Sequence, residues 1–364
     1  MMQNGVGTMS TPCQLATMIE TVAPRLDPAL VCRDNVESIL SIARVLPTWQ
    51  CAGFECRLGD PAPRADFGVH LRRTHGISID EALLARQTPD SPESDAWQRL
   101  RRFAQAWSER QTVIARAIPA VSLEFDVHSL RPPRVAAPSM FFSMRFGPYR
   151  SGPADGTAVD ACSRVVRAVL EAVGADMADA RHQLEQCFRV LLPRVPFLQL
   201  GVWLARPVNT FRICAPGLKL RDIRAVVRAL RWSGPQDAYE SRWRDLLQFG
   251  DRGALHLDVG SEVAAKIGIE VNFGEGSASL RVDDPEDTRF FDYLVEHDMC
   301  LPEKRDGLLS WVGGFRLNPD GGDAATAPLF LRTISHVKLV FQPDQNPQAK
   351  AYLAVGRIDD RTQH

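Results

Sequence analysis

The stretch GALHLDVGSEVAAKIGIEVNF (253–273) decides the fold, because it holds two alternating runs of apolar and polar residues on either side of a short turn. The first run places His256 and Asp258 on one face and aliphatic residues on the other. The second run does the same with Lys266 and Glu270. Side chains of a strand point alternately to its two faces. The stretch therefore predicts an antiparallel hairpin with one apolar and one polar face.

The same pattern occurs five times along the chain. The predicted hairpins cover residues 49–73, 120–146, 197–215, 253–273 and 334–356, and roughly two helices' worth of amphipathic sequence precedes each of them. Ten antiparallel strands with helices between the hairpins can close into a barrel that is wide enough to hold a ligand. We therefore predict an α+β fold: a ten-stranded antiparallel β-barrel built from five helix-helix-strand-strand repeats, with the helices outside.

The alternation also predicts which side chains face the inside of the barrel. Helices outside the barrel need an apolar surface to cover, so the apolar faces of the strands point outwards and the polar faces line the lumen. In GFECRLG (53–59), Glu55 and Arg57 are then lumen residues, and in SLEFDV (122–127) Glu124 and Asp126 are. The lumen is predicted to be polar and charged.

Composition is that of one ordinary domain. The chain has 364 residues, is 45% hydrophobic and has a net charge of −1. We predict a single domain over 1–364 with frayed ends at 1–12 and 358–364. The charge makes no case for nucleic acid or an anionic membrane, and no apolar run is long enough to span a bilayer. The eight cysteines have no regular spacing and are read as reduced thiols. We predict a cytoplasmic protein.

Periodic apolar residues predict the helices. The ranges are 12–23, 35–45, 79–87, 94–117, 157–174, 177–192, 219–233, 237–248, 286–298 and 302–311. Pro302 suits a first helical turn. Five tryptophans in or next to these segments are predicted to pack in the core: Trp97, Trp107, Trp232, Trp243 and Trp311. The segment 313–328 is rich in glycine and proline and predicts a loop.

Five helix-flanked hairpins with a polar lumen resemble the ABBA-type prenyltransferases, which attach isoprenoid groups to aromatic small molecules, indoles or peptide side chains. The resemblance covers nearly the whole chain in layout. It implies that Glu55, on the first strand, is a catalytic residue that accepts the acceptor's proton. It also implies a diphosphate site of cations and tyrosine, and Lys350-Ala351-Tyr352 has the Lys-x-Tyr form of such a site.

The chemistry of this reaction explains why such residues would share a lumen. Ionisation of an allylic diphosphate leaves a diphosphate anion and a carbocation. Charged and hydroxyl donors can hold the anion, and the predicted set is Arg212, Lys266, Lys338, Lys350 and Tyr352. The ring faces of Phe141 and Trp203 can shield the cation. Glu55 in a semi-enclosed site is expected to have a raised pKa and to act as the base. No cofactor is obligatory, although Mg²⁺ could accompany the diphosphate.

A simpler interpretation is that lumen acids and bases only pair with each other, Glu55 with Arg57, and Glu270 with Lys266 or Lys338. A non-catalytic barrel that binds a small molecule or peptide is then the alternative function.

A second alternative comes from HLRRTHGIS (70–78), which resembles the histidine half of a bacterial zinc finger of the Ros and MucR type. Its ligands would be Cys51, Cys56, His70 and His75, a wide but sterically possible set for tetrahedral Zn²⁺. The chain would then be a regulator with a degenerate finger at 51–75. In the hairpin interpretation, however, Cys56 faces outwards and His70 inwards, which makes zinc binding the less favoured prediction.

The acidic run DDPED (283–287) matches the Asp-Asp-x-x-Asp pattern of Mg²⁺-dependent isoprenyl synthases. Here it precedes an amphipathic segment, and Pro285 suits a helix start. Helix capping therefore explains the run, and we predict no metal site there.

Overall fold

The computed structural model describes residues 15–46, 51–72, 92–127, 137–145, 156–204, 206, 208–271, 285–316 and 329–358. Its strands form one antiparallel sheet. They are β1 (Cys51–Arg57), β2 (Ala65–Arg72), β3 (Ala120–Phe125), β4 (Ser139–Arg145), β5 (Phe197–Trp203), β6 (Phe211–Lys219), β7 (Arg252–Val259), β8 (Val263–Val271), β9 (Gly313–Arg316), β10 (Leu329–Phe341) and β11 (Gln348–Ile358). β11 pairs with both β10 and β1. Ten strands therefore close into a barrel, as predicted.

The short strand β9 was not predicted, since the segment 313–328 reads as a loop. Of the residues of β10, only Val337–Phe341 pair with β8. The earlier part of β10 extends past β8, and β9 pairs with it at Leu329–Arg332. A strand edge left open by its neighbour offers unpaired backbone groups, and β9 satisfies some of them. β9 is an addition to the barrel and not one of its ten strands.

Two α-helices precede each hairpin in the described part of the chain. They are α1 (Leu15–Val22), α2 (Arg33–Ala43), α3 (Pro92–Ser108), α4 (Val113–Ala117), α5 (Gly156–Ala172), α6 (Arg181–Leu191), α7 (Ile223–Ala229), α8 (Gln236–Leu246), α9 (Pro285–Glu296) and α10 (Pro302–Trp311). The predicted single helix at 94–117 is two helices, because the Thr112 side chain accepts a hydrogen bond from Ala115 N and caps a new helix. The predicted helix at 79–87 lies outside the described residues.

The main core lies between the barrel and its helices. The outward side chains of β1 to β4 include Phe54, Phe67, Phe125 and Phe142, each at most 1% exposed. The five tryptophans predicted for the core are all buried. Phe54 meets the ring of Trp311 on α10 edge to face. The large apolar surface therefore faces the helices, which leaves the inner faces of the strands free to be polar.

Strand register fixes which inner side chains lie side by side. Residues opposite each other on paired strands point to the same face. Glu55 on β1 lies opposite Tyr352 on β11, and Lys338 on β10 lies opposite both Lys350 and Glu270. The inner face thus gathers charged residues from strands that are distant in sequence. None of the described helices is long and apolar enough to cross a membrane.

Candidate active site in the barrel lumen

Four cations from four strands line one recess in the lumen. They are Arg212 on β6, Lys266 on β8, Lys338 on β10 and Lys350 on β11. These are the four cations that the sequence predicted for a diphosphate site, and the fold brings them together. The remaining lining residues are His256, Asp258, Ile267, Gly268 and Val340. The recess is therefore strongly cationic on one side and has one carboxylate in its wall.

A glycine makes room for this arrangement. A Cβ atom on Gly268 would lie 3.2 Å from Cβ of His256 and 3.3 Å from Cδ of Lys338. Those distances are shorter than ordinary packing contacts. The glycine therefore lets a histidine and a lysine from its neighbouring strands lean over β8 into the recess.

Arg212 is held in place by Asp258. Its Nε and one terminal nitrogen donate to the two carboxylate oxygens at 2.7 and 2.8 Å. Burial lowers the pKa of the guanidinium, but the hydrogen bonds and charge of Asp258 outweigh burial and raise it. The guanidinium also stacks on the Trp203 ring, 4.7 Å from its centroid. Arg212 is therefore a fixed, permanently charged donor at the recess.

Lys266 is the exposed member of the set. Its pKa is lowered by burial of part of the side chain and then by the positive charges of Arg212, Lys350 and Lys338, against the opposing effect of Asp258. In the described part of the chain no ion pair joins Lys266 to an acid. Positive charges that repel each other in a recess favour the binding of an anion there.

Glu55 sits beside the recess as the counter-ion of its lysines. Nζ of Lys350 donates to Oε1 at 2.5 Å, the Tyr352 hydroxyl donates to Oε2, and Nζ of Lys338 lies 3.9 Å from Oε2. Burial by itself would raise the pKa of Glu55, but the two lysines and the hydrogen bonds hold it below its ordinary value. The predicted raised pKa is therefore wrong, because enclosure brings cations as well as desolvation.

Tyr352 faces Glu55 and is not among the residues that line the recess. Its ring stacks on His336 with centroids 4.1 Å apart, and Nζ of Lys338 lies 4.8 Å from the ring centroid. Burial and the charge of Glu55 raise its pKa well above the ordinary value. The hydroxyl therefore keeps its proton and remains a donor.

The two aromatic residues predicted to shield a cation lie together. Phe141 and Trp203 meet edge to face with centroids 5.8 Å apart. Phe141 covers Gly201, where a Cβ atom would come within 2.4 Å of the Phe141 ring. Register places Gly201 directly between Phe141 and Arg212. The aromatic pair is therefore the lumen wall next to the recess.

In the described part of the chain, Glu55 does not pair with Arg57, and Glu270 pairs with neither Lys266 nor Lys338. Arg57 pairs with Asp66 across the β1–β2 hairpin at 2.7 Å, and Glu270 binds His256 and His336 instead of a lysine. Residues two apart on a strand are about 6.6 Å apart along it, whereas cross-strand neighbours are closer. Distance therefore explains why Glu55 does not pair with Arg57 or Glu270 with Lys266. Lys338 lies opposite Glu270, but its ammonium group is near Glu55 instead.

Glu124 is a lumen residue for which the sequence predicts no role in catalysis or binding. Burial, followed by the charge of Glu55, raises its pKa to about 7, although Lys338, Arg212 and Lys350 act in the opposite direction. No hydrogen bond or ion pair joins it to another residue in the described part of the chain. Strand parity identifies Glu124, His256, Asp258 and Cys214 as lumen residues from sequence alone, but it does not show which of them meet.

The zinc-finger alternative does not fit this geometry. Cys51 lies opposite His70 on the inner face, whereas Cys56 is fully buried on the outer face of the same strand. His75 lies outside the described residues. Two ligands on opposite faces of a strand cannot share one tetrahedral ion. Within the described ranges no three metal-ligating side chains are placed to hold an ion.

The helix at the acidic run begins at Pro285, as predicted. Asp283 and Asp284 lie outside the described residues.

No protein-family profile and no curated protein matches the sequence significantly. Solved structures do match. The apo form of prenyltransferase PriB has a TM-score of 0.51 at 14% identity, over 94% of this chain and 96% of that one. The PriB ternary complex with L-tryptophan and dimethylallyl thiolodiphosphate has a TM-score of 0.51 at 13% identity over the same shares. The predicted resemblance to the ABBA-type prenyltransferase barrel is therefore confirmed at the level of the fold.

Proposed function

We propose that this chain transfers an isoprenoid group from an allylic diphosphate to an aromatic acceptor, free or carried on a peptide, inside the barrel. The observation that carries the proposal is the convergence of Arg212, Lys266, Lys338 and Lys350 on one recess. The aromatic pair Phe141 and Trp203 lies next to it. Cations that bind the diphosphate and rings that face the carbocation are the two halves of this chemistry.

In this proposal, three of the four cations contact the diphosphate in different ways. Arg212 offers a planar, fixed donor to the diphosphate, while Lys266 and Lys350 bring charge on flexible stems. Their charge stabilises the diphosphate as it leaves, when negative charge develops on its bridging oxygen. The aromatic wall excludes water from the cation. The likeness to PriB, whose ternary complex contains an allylic thiolodiphosphate and tryptophan, supports this use of the lumen.

Two lumen carboxylates are candidates for the acceptor's proton. Glu55 remains the predicted base, but its oxygens already serve Lys350 and Tyr352. Glu124 has no such partners in the described part of the chain, and its pKa of about 7 suits proton transfer at neutral pH. A comparison of Glu55→Gln with Glu124→Gln separates the two roles.

The direct test is a transfer assay. The protein is incubated with dimethylallyl or geranyl diphosphate and with tryptophan, tyrosine or peptides that contain them, with Mg²⁺ or with a chelator. We expect a prenylated product and released pyrophosphate, and we expect the folded Lys266→Ala/Lys350→Ala variant to lose both. Failure of the wild-type protein to bind either diphosphate at millimolar concentration would overturn the proposal.

A non-catalytic binding barrel is the second candidate. It is favoured by the pairing of Arg212 with Asp258 and of Lys350 with Glu55, which neutralises two of the four cations. Such a barrel would bind an anionic or aromatic ligand reversibly and release no pyrophosphate from an allylic diphosphate. The same assay therefore distinguishes the two functions.

A further inference from the structure

Three lumen side chains outside the diphosphate set form a continuous line across β6, β7 and β8. Sγ of Cys214 lies 3.1 Å from Nδ1 of His256. Nε2 of the same imidazole lies 2.5 Å from Oε1 of Glu270. Cys214 and His256 are opposite each other in register, so the contact is fixed by strand pairing. The result is a row of three groups in contact: the thiol of Cys214, the imidazole of His256 and the carboxylate of Glu270.

The carboxylate determines which imidazole nitrogen carries the proton. Burial would raise the pKa of Glu270, but His336 and His256 hold it well below the ordinary value, so the group is ionised. An ionised carboxylate only accepts hydrogen bonds. Nε2 of a neutral His256 therefore carries the hydrogen, and the lone pair of Nδ1 faces the thiol. A nucleophile next to a base that a third group orients is the arrangement used for nucleophilic catalysis.

This line of residues borders the cationic recess. His256 is one of the residues that line it. Cys214 follows Arg212 by two residues on the same face of β6, a separation of about 6.6 Å along the strand. A diphosphate held by Arg212 would therefore place the carbon attached to it in the neighbourhood of the thiol.

We propose that Cys214 is a site of S-alkylation, at which an allylic diphosphate bound in the recess transfers its isoprenoid group to the thiol. The proposal rests on the proposed function, because it needs the same donor. A lone pair of Sγ forms the new C–S bond, and the C–O bond breaks with both electrons passing to the diphosphate. The thiol proton passes to Nδ1 of His256. Glu270 stabilises the imidazolium, and Arg212 and Lys266 hold the leaving group.

The product would be a stable thioether, and its stability determines how much of the adduct an experiment detects. Carbon bound to a neutral thioether sulfur is a poor electrophile, so the adduct accumulates to one per chain instead of turning over. Cys214 is only 3% exposed, so an alkylating group reaches it from the lumen and not from bulk solvent. The modification would fill the space beside Arg212 and stop further transfer. It is therefore expected mainly when no acceptor occupies the barrel.

The test incubates the full-length protein with dimethylallyl diphosphate and no acceptor. Intact mass and peptide mapping should show one C₅H₈ unit on Cys214. Cys214→Ser should abolish the adduct. His256→Asn should slow its formation by on the order of 10²-fold, the usual effect of losing a general base. Cys51→Ser is the matched control, because Cys51 is also a lumen cysteine opposite a histidine, His70, and should leave the adduct unchanged.

Two further measurements separate this inference from the proposed function. Calorimetry reports whether the diphosphate binds, and pyrophosphate release reports whether it reacts. Binding with release but with an unmodified Cys214 would overturn the inference and leave the proposed function standing, whereas no binding would overturn both. Iodoacetamide labelling tests the thiol without the donor. Labelling of Cys214 should decrease in Glu270→Gln and in the presence of inorganic pyrophosphate, and labelling that depends on neither contradicts the inference.

Discussion

Nζ of Lys350 donates to Oε1 of Glu55 at 2.5 Å, across the seam where the last strand of the barrel pairs with the first. The two residues are 295 positions apart in sequence. One carboxylate thus links the two strands at this seam and also neutralises a lysine of the recess. Because the same ammonium group cannot serve both partners equally, a bound anion has to compete with Glu55 for Lys350.

Glu55→Gln should therefore strengthen anion binding while weakening the fold. Glutamine keeps the shape but removes the charge, so Lys350 and Lys338 lose their counter-ion. We expect the Kd for inorganic pyrophosphate to fall about tenfold, which corresponds to about 1.4 kcal/mol. We expect the free energy of unfolding to fall by roughly 3 kcal/mol, since a buried pair loses one partner. Titration calorimetry and urea denaturation measure the two effects.

Asp66→Asn is the control for this change. Asp66 lies opposite Glu55 on β2 and pairs with Arg57, away from the recess. The variant should lose stability without a change in pyrophosphate affinity. If Asp66→Asn strengthens binding as much as Glu55→Gln does, the effect comes from the overall charge of the lumen and not from competition for Lys350.

The two arginines on Trp203 offer a second matched pair. Arg206 and Arg212 lie 4.6 and 4.7 Å from the Trp203 ring centroid. Each also pairs with an aspartate, Asp126 and Asp258 respectively. Only Arg212 lines the recess. Arg212→Ala should weaken pyrophosphate binding by about 1.5 to 3 kcal/mol, the value of a charged hydrogen bond, while Arg206→Ala should change it little. Equal effects in calorimetry would show that the recess is not the anion site.

Much of this lumen could be predicted because strand parity is a local property. Alternation in GFECRLG (53–59) is enough to turn Glu55 inwards and Phe54 outwards, and the same holds for Arg212, Lys266 and Lys350. The barrel follows from repetition of that pattern. Parity needs no knowledge of which strands are neighbours.

The contacts between lumen side chains could not be predicted in the same way, because they depend on the register between strands that are far apart in sequence. Glu55 meets Tyr352 only because β11 returns to β1 with one particular alignment. The lowered pKa of Glu55 follows from that alignment, since the lysines arrive with it. The contact between Cys214 and His256 is of the same kind. Sequence therefore places these side chains in the lumen, and closure of the barrel determines their chemistry.

Phe141→Leu should change the products more than the binding of the donor. Phe141 is 5% exposed and forms the wall beside Trp203. Leucine keeps an apolar surface but removes the ring face that attracts a cation. In the transfer assay we expect a larger share of the isoprenoid to appear as the alcohol formed with water, with an unchanged Kd for pyrophosphate.

Phe142→Leu is the adjacent control, because Phe142 points outwards into the core and is fully buried. It should lower the free energy of unfolding without altering the ratio of prenylated product to alcohol. If Phe141→Leu gives the same ratio of prenylated product to alcohol as the wild type, Phe141 does not shield the carbocation.

Glu124 should make the protein less stable as the pH rises towards neutrality. Its pKa in the folded state is about 7, against 4.5 for the ordinary side chain. Between these values the folded state binds more protons than the unfolded state, so the free energy of unfolding falls as the pH increases. Glu124→Gln removes this titration. The variant should therefore gain unfolding free energy over the wild type at pH 8 compared with pH 5, and we expect this gain to be on the order of 1 to 3 kcal/mol. Urea denaturation at the two pH values measures the difference.

Glu55 has the opposite effect on how the stability of the barrel depends on pH. Its pKa is held below 4.5 in the folded state, so its contribution to stability is present above about that pH and is lost as the solution becomes more acidic. Glu55→Gln should therefore flatten the acid limb of the stability curve, whereas Glu124→Gln should flatten the limb between pH 5 and 8. The transfer rate of the wild-type protein should rise through pH 7 if Glu124 takes the proton. The free energy of unfolding decides the matter. If its slope between pH 5 and 8 is the same in Glu124→Gln as in the wild type, Glu124 is not the group that titrates there.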